Sequence, residues 1–499
     1  MFLKKIIVIG AGPGGLASAM LLAGRGYEVT VLEKQPFLGG RTSLFEQDGF
    51  SFDRGPTFFS MPHILEELFE AVGRKLSDYL TMHKVDPMYE LRFEDIAFSP
   101  SYDTSATYER IEESFPGNGR GFLRFLEETE QKMAALMPVL QNRHGSLFDY
   151  GRWRTLKALP KLSLGRSLYD ELSRYFTDER LKLSFTFQSK YLGMSPWECP
   201  AAFSILSYME YAYGIFHPEG GVNQIPQAMA KVCQEFGAKI HTHTDVKKIL
   251  TKNKDVYGVE LANGEELYCD ELIVNADFAY TMSELIDEAN LKKYKPHKLK
   301  KKKYSCSTFM IYANVDKEYE LPHHTVIFSK DYKKNVEEVT GSKLLSADPS
   351  IYVHNPIGTD RSLAPPGKSP IYLLAPVPNN FSGIDWRKEQ SSTRDLIYQQ
   401  VEERTGFKGL RDHVTTETIL TPADWEASFN VYKGATFNLA HNLGQMMYFR
   451  PHNRFEELGS CWLVGGGTHP GSGLPTILES GRITAQSLME SDKEITIVR

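Results

Sequence analysis

Cysteine is scarce in this chain of 499 residues: Cys199, Cys233, Cys269, Cys306 and Cys461 stand far apart, with no CxxC pair and no metal-ligand spacing. That pattern excludes a disulfide scaffold and a thiolate metal site, and reads as reduced, mostly buried thiols of a cytosolic protein. No apolar run reaches the roughly 20 residues needed to cross a bilayer. Ala201 to Phe216 comes nearest, but it is short and carries Glu210. Met1-Phe2-Leu3-Lys4-Lys5 passes straight into the apolar Ile6 to Ile9 and then into glycines, so no signal-peptide segment is expected. Positive charge is not in excess either: the formal net charge is −6, so nothing global attracts nucleic acid, and no nucleic-acid partner is expected. Internal repeats, low-complexity tracts and long linkers are missing. So are a nucleophile triad, a metal-binding motif and a paired-carboxylate motif; no metal is expected. What remains is 41% hydrophobic and 24% charged, the balance of a folded protein with a large core. The length suits three average domains or two large interleaved ones.

The N-terminus carries the first chemistry. Lys5-Ile6-Ile7-Val8-Ile9 is a β-rich apolar run of the kind buried on both faces of a parallel sheet. Gly10-Ala11-Gly12-Pro13-Gly14-Gly15 follows, a GxGxxG pattern at Gly10, Gly12 and Gly15. A helical stretch, Leu16 to Arg25, and a second strand, Glu28 to Leu32, then lead to Glu33. Gly10 permits the tight turn, Gly12 lets a pyrophosphate approach the backbone, and Gly15 lets the helix pack on the strand. The helix N-terminus offsets phosphate charge. Glu33, about 20 residues on, can accept from ribose hydroxyls, and its carboxylate disfavours a 2′-phosphate, leaving FAD or NAD. GxGxxG alone is weak, because glycine-rich turns are common. Here strand, helix and acid all stand at the expected spacing.

Downstream lie Gly39-Gly40-Arg41 and then Asp53-Arg54-Gly55-Pro56-Thr57. At these residues the chain resembles the large flavin family that includes amine oxidases, protoporphyrinogen oxidase and carotenoid desaturases. The resemblance implies that Arg41 lies beside the FAD phosphates, a position where a fixed cation and bare backbone suit a diphosphate. It also implies that Gly40, Gly55 and Pro56 line the cofactor. A solvated surface arginine is the alternative for Arg41. Two distant segments support FAD as the cofactor. Asp245-Val246-Lys247-Lys248-Ile249 looks like the family's returning strand, where the backbone at Val246 meets the adenine. Cys461 to Val464 then leads into Gly465-Gly466-Gly467-Thr468-His469-Pro470-Gly471-Ser472-Gly473-Leu474-Pro475 and a helical run from Thr476 to Met489. Strand, glycine turn and helix N-terminus again suit an anion, which places Gly465, Gly467, Leu474 and Pro475 at the cofactor.

That C-terminal motif closely resembles bacterial phytoene and dehydrosqualene desaturases, and the likeness runs from Ile6 to Leu488. It includes Val326 to Ser329, Asp348 to Val353 and Ser362 to Lys368, and is closest to the desaturases of C30 diapocarotenoids. Carotenoid terminal-methyl oxygenases share the layout but carry Asn-Pro-Gly-Gly-Gly where this chain has His469-Pro470-Gly471-Ser472-Gly473, which favours a desaturase. A carotenoid isomerase, an amine oxidase and a flavin-free isoprenoid escort protein are the other readings. The resemblance implies hydride transfer from a long polyene hydrocarbon to flavin, so the cofactor carries the difficult step and the protein supplies orientation and a dry tunnel. The catalytic group is left open. His469 is a candidate proton acceptor or flavin neighbour, and equally a residue that holds the turn. Asp53 reads as structural or flavin-supporting. Phe203, Ile205, Leu206, Tyr208, Met209, Tyr211, Tyr213, Ile215 and Phe216 form an aromatic-rich block suited to core packing or to lining an apolar cavity.

The expected fold is α/β: a discontinuous Rossmann-type FAD-binding domain (1–95, 217–290 and 455–499) with a mixed α+β substrate domain (96–216 and 291–454), of amine-oxidase-like flavoprotein architecture. Eight lysines between Lys292 and Lys303 form a basic run in an acidic chain. A solvated face explains such a run, but each lysine near anionic lipid adds about 1 kcal/mol. A second amphipathic stretch sets Trp153, Leu156, Leu159 and Leu162 among Arg152, Arg154, Lys157 and Lys161. A hydrocarbon substrate resides in a bilayer, so the expectation is a cytoplasmic protein docked peripherally on the membrane. Oligomeric state is left open.

Overall fold

The computed structural model describes residues 4–141 and 165–497; the amphipathic stretch from Arg152 to Leu162 lies outside them. Isoleucine and valine at β1 (Lys5–Ile9) are buried on both faces, as a central parallel strand requires. After it come α1 (Pro13–Ala23) and β2 (Glu28–Leu32). Much later in the chain stand α2 (Gln224–Glu235), β3 (Lys239–His241) and β4 (Glu271–Val274), and finally β5 (Cys461–Leu463) and α3 (Leu474–Ile497). These five strands make one sheet in the order β3-β2-β1-β4-β5, every neighbouring pair parallel. The C-terminal strand thus joins the N-terminal one through β4, with Val8 opposite Ile273 and Ile273 opposite Trp462. An antiparallel sheet of Val246–Lys252, Asp255–Leu261 and Glu266–Tyr268 adjoins it, turning at Asn263-Gly264.

A second large sheet has seven strands, in the order Val414–Leu420, Ser307–Val315, Ser369–Val377, Ile351–His354, His324–Ile327, Glu90–Arg92 and Ala97–Phe98. Its longer interior strand Ser307–Val315, next to the edge strand Val414–Leu420, is buried throughout, and its two-residue period sorts two cores. Phe309, Ile311, Ala313 and Val315 pack with Trp386, Ile397 and Val401 of the helix Trp386–Arg404. Met310 and Tyr312 pack on the other face with Phe50, Phe52 and Trp425. Glu90–Arg92 pairs in parallel with His324–Ile327, so the chain has already entered this sheet before residue 95. A third sheet pairs Ile215–Pro218 with Phe59–Ser60 and Met82–Lys84 and links the two regions.

The aromatic block around the helix Ser204–Tyr213 mostly packs. Ile205, Tyr208, Met209, Tyr211 and Ile215 are buried in the main core, and Tyr211 stacks on Phe185 with ring centroids 4.7 Å apart. The cysteines are free thiols, all buried but the half-buried Cys269.

Helix α1 is buried on every side because α2 and α3 flank it. The approach to α3 is close enough to demand glycine: a Cβ on Gly481 would lie 2.6 Å from the Gly14 carbonyl oxygen and 2.9 Å from Ala17 Cβ. Backbone cannot yield as a side-chain tip can, so Gly481→Val is expected to cost about 2–3 kcal/mol through overpacking, read as a lowered urea midpoint at unchanged slope.

Candidate functional site

The β1–α1 turn is built from backbone. Gly10 has φ +93°, and a Cβ on Gly15 would collide with the Gly10 carbonyl oxygen. Gly12 is the N-cap of α1 and no side chain caps that end, so the first N–H groups of the helix face outward for an anion. Gly40, at φ +56°, sits across from Gly12, whose Cα would be 3.8 Å from a Cβ placed there. Bare backbone on two sides makes a cradle that side chains would fill, which suits an extended diphosphate.

At the end of β2, Glu33 is buried. Its Oε2 accepts from the Ala11 N–H (2.7 Å) and its Oε1 from the Gln35 N–H (2.9 Å). Burial pushes this carboxyl up, while those two N–H bonds and Lys34 pull it down. Each oxygen keeps a lone pair for a ribose hydroxyl. The Thr244 N–H donates to the Glu33 carbonyl at 2.8 Å, which brings Val246, buried at the start of its strand, to the same edge of the sheet.

Arg41 Nη2 donates to Asp277 Oδ2 at 2.8 Å. The Asn438 amide, oriented so that both its ends are satisfied, completes the group: its nitrogen then donates to Asp277 Oδ2 (2.7 Å) and its oxygen accepts from Arg41 Nη1 (3.0 Å). Arg41 is therefore held beside the cradle, with donors left on its guanidinium fork. Gly55 must be glycine because the Arg41 carbonyl oxygen occupies the space of a Cβ. Three tyrosines of the seven-stranded sheet grip this loop. Tyr312 OH donates to the Arg54 carbonyl (2.5 Å), Tyr372 OH to the Gly55 carbonyl (3.3 Å), and Tyr352 OH shares a proton with Thr57 Oγ1 (2.5 Å). Pro56 lies between these anchors.

The C-terminal loop meets the N-terminal one. A Cβ on Gly14 would lie 2.6 Å from Val464 and 3.1 Å from Ile477, and Asn275, just past β4, donates to the Gly10 carbonyl at 3.1 Å. Gly465 has φ +107°, its Cβ direction facing Asn275 Oδ1, and Gly467 packs against Phe278. Leu474 and Pro475 open α3, whose first turn includes the Ile477 N–H bond to the Gly473 carbonyl. Behind the loop, the fully buried Arg450 donates to the carbonyls of Thr468 (3.2 Å), Gln445 (3.3 Å), Leu439 (3.4 Å) and Gly466. Burial lowers its guanidinium to about 9. His469 is buried, and its main chain is pinned: its N–H donates to Pro451 (3.0 Å), and its carbonyl accepts from Asn453 Nδ2 (3.1 Å) and Ser480 Oγ (2.9 Å).

Asn275, Asn438, Arg450 and the three tyrosines escaped sequence reasoning, as did Asn223, whose Nδ2 donates to the Thr42 carbonyl at 2.8 Å. Each acts on backbone or on a side chain distant in sequence, and no local pattern marks such a contact. Asn275 had a positional signal, closing an apolar strand beside the glycine turn.

The likeness to known proteins runs along nearly the whole chain. The family described as flavin containing amine oxidoreductase matches residues 13–489. A 4,4'-diapophytoene desaturase (4,4'-diapolycopene-forming) of Methylomonas sp is 45% identical over 98% of this chain and 96% of its own. A zeta-carotene-forming phytoene desaturase of Myxococcus xanthus is 37% identical over 97% of this chain and 94% of its own. Among solved structures, putrescine oxidase bound to putrescine shares the fold at TM-score 0.64 and 14% identity, covering 98% of this chain and 99% of its own.

Asp53 is buried and caps α2, its Oδ2 accepting from the Val222 N–H (3.0 Å) and its Oδ1 from the Asn223 N–H (3.2 Å). Burial pushes its carboxyl up to about 6, against the pull of those N–H groups and His217. The folded state then holds the proton more tightly than the unfolded chain, so this contribution to stability is full below about pH 4 and lost as pH rises through 6. Asp53→Asn lacks that loss. Its unfolding free energy relative to wild type, in urea titrations at stepped pH, is expected to improve by up to about 3 kcal/mol between pH 4 and 7. A difference that stays flat with pH would show that Asp53 does not titrate there.

Proposed function

The chain belongs to the flavin-containing amine oxidoreductase family, and we propose that Gly10, Gly12, Gly15, Glu33, Gly40, Arg41, Gly55, Pro56, Val246, Gly465, Gly467, Leu474 and Pro475 hold its cofactor. It is an FAD-dependent oxidoreductase of carotenoid biosynthesis, a desaturase of diapophytoene or phytoene type. The observation that carries this conclusion is 45% identity along 98% of the chain to a 4,4'-diapophytoene desaturase. The glycine cradle, Glu33 and the C-terminal loop, all present here, support it.

FAD supplies the two-electron acceptor when bound. The chain's own residues do the rest. The N-terminus of α1 and Arg41 offset the diphosphate charge, Glu33 receives ribose hydroxyls, and the tyrosine-held loop from Arg54 to Thr57 gives the cofactor a rigid wall. A fixed wall matters because an unactivated hydrocarbon offers no polar handle for orientation, so shape and apolar contact must position the reacting carbons.

The preferred substrate in this reading is the C30 precursor, the class named for the 45% identical relative. Incubating flavin-loaded enzyme with diapophytoene and with phytoene is expected to add double bonds to both, faster to the C30 chain. Oxygenated products, or isomers alone, would overturn the desaturase assignment, and faster turnover of the C40 chain would overturn the substrate preference.

Membrane docking on the cytoplasmic face belongs to the same proposal. Among the described residues no helix is long and apolar enough to cross a membrane. In the basic run, Lys298, Lys300, Lys301 and Lys303 are exposed, whereas Lys293 is paired with Glu456 at 2.8 Å. The Gln445 side-chain amide accepts from the Lys303 N–H and donates to its carbonyl, on a segment that exposes Leu443 and Phe449 to 52% and 57%. Lysines beside exposed apolar side chains suit an anionic lipid surface. Vesicles containing phosphatidylserine are expected to float wild type but not Leu443→Asp/Phe449→Asp; equal recovery of wild type with neutral vesicles, or with none, would count against docking.

A further inference from the structure

Four histidines meet where the seven-stranded sheet touches the three-stranded one. His217 lies in Ile215–Pro218, His323 and His324 at the start of His324–Ile327, and His354 at the end of Ile351–His354. All four are buried. Three of them, His217, His323 and His354, each present a ring nitrogen within 4.8 Å of the other two. His323 Nε2 and His354 Nε2 stand 3.0 Å apart, close to the edge of about 3.3 Å in a tetrahedron whose metal–nitrogen bonds are about 2.0–2.1 Å.

The partners behind these rings are of the kind that orient a ligand. His323 Nδ1 is 2.8 Å from Thr359 Oγ1, and His217 Nε2 is 3.0 Å from Asp360 Oδ2. Asp360 is itself fixed by the Gly220 N–H at 2.7 Å and by the Ser362 hydroxyl at 2.6 Å. A carboxylate on one nitrogen of an imidazole sets its tautomer and raises the basicity of the other. With Nε2–H given to Asp360, His217 Nδ1 carries a lone pair, and it is buried without a hydrogen-bond partner among the described residues. Leaving a buried acceptor unsatisfied costs about 1–3 kcal/mol, so the cluster lacks an electrophile in its middle.

We propose that His217, His323 and His354 bind one divalent transition-metal ion, zinc or an imidazole-preferring relative, with Asp360 and Thr359 orienting the rings. A ligand set of neutral imidazoles selects that class of ion over magnesium or calcium. Its role is structural. His217 comes from the strand paired with Phe59–Ser60, and the other two from the seven-stranded sheet, so a single ion staples the sheets together. Because the cluster is buried, the ion is acquired as the chain folds.

Protein without a histidine tag, purified with its flavin from cells grown in zinc- or cobalt-supplemented medium, provides the test. About one metal per chain is expected by elemental analysis, and the cobalt form is expected to show the strong visible bands of a four-coordinate site. His354→Gln is expected to lose at least tenfold of the metal at unchanged flavin content, and Asp360→Asn to bind it about 10–100-fold more weakly. Should either variant fail to fold, wild-type crystals measured at the zinc edge decide, by an anomalous peak among the three imidazoles. Wild type that carries flavin but under a tenth of an equivalent of metal from either medium, a peak elsewhere, or metal retained by His354→Gln would overturn the proposal and leave a neutral hydrogen-bonded histidine cluster.

Discussion

Everything at the site depends on β4 lying between β1 and β5. Its hydrogen bonds run to Ile6–Ile9 on one side and to Cys461–Leu463 on the other, so strands more than 450 residues apart share one sheet. In a parallel sheet the turns that follow neighbouring strands emerge at the same edge, where ligands of open α/β sheets bind. The glycine turn after β1 and the glycine loop after β5 are therefore brought side by side by strand pairing alone, and Asn275 links them at the end of β4. A stretch of bare glycine backbone continuous across both turns is a consequence of that pairing.

The second sheet acts on this site through tyrosine hydroxyls. Tyr312 and Tyr372, buried, and the half-buried Tyr352 each pack a ring on the sheet and extend a polar tip to the loop from Arg54 to Thr57. Buried hydroxyls need partners, and here the loop supplies them, so packing of the antiparallel sheet and the shape of that loop are tied. Arg450 does the same for the C-terminal loop with a charge in place of a hydroxyl. It satisfies several carbonyls at once, and burial weakens its proton affinity as the cost.

Much of the nucleotide half was legible before any coordinates. The strand, glycine turn, helix and acid from Lys5 to Glu33 follow a local rule, as do the returning strand at Val246 and the loop from Gly465 to Pro475. The seven-stranded sheet was less so. Its order places Ser307–Val315 between Ser369–Val377 and Val414–Leu420, strands distant in sequence, and Glu90–Arg92 joins it in parallel by a long-range contact that no neighbouring residue announces. The aromatic block from Phe203 to Phe216 shows the same limit. Its composition suited a core or a cavity, and only neighbours such as Phe185 place Tyr211 in the core.

The amino-acid order by itself determined the glycine turns, the helix starts and the acid at the end of β2, because turns, helix starts and single carboxylates depend on short-range backbone geometry and on glycine's freedom at positive φ. It also determined the apolar strands and the family likeness. Only the tertiary structure decided what stands behind those pieces: Asn223 joined to Thr42 and Asp53, Asp277 and Asn438 around Arg41, and Arg450 under the C-terminal loop. Three histidines on strands far apart in the chain belong with these. Such contacts arise from strand register and sheet packing, which are set by the burial of whole faces, and a linear pattern carries no record of which distant side chains those faces bring together.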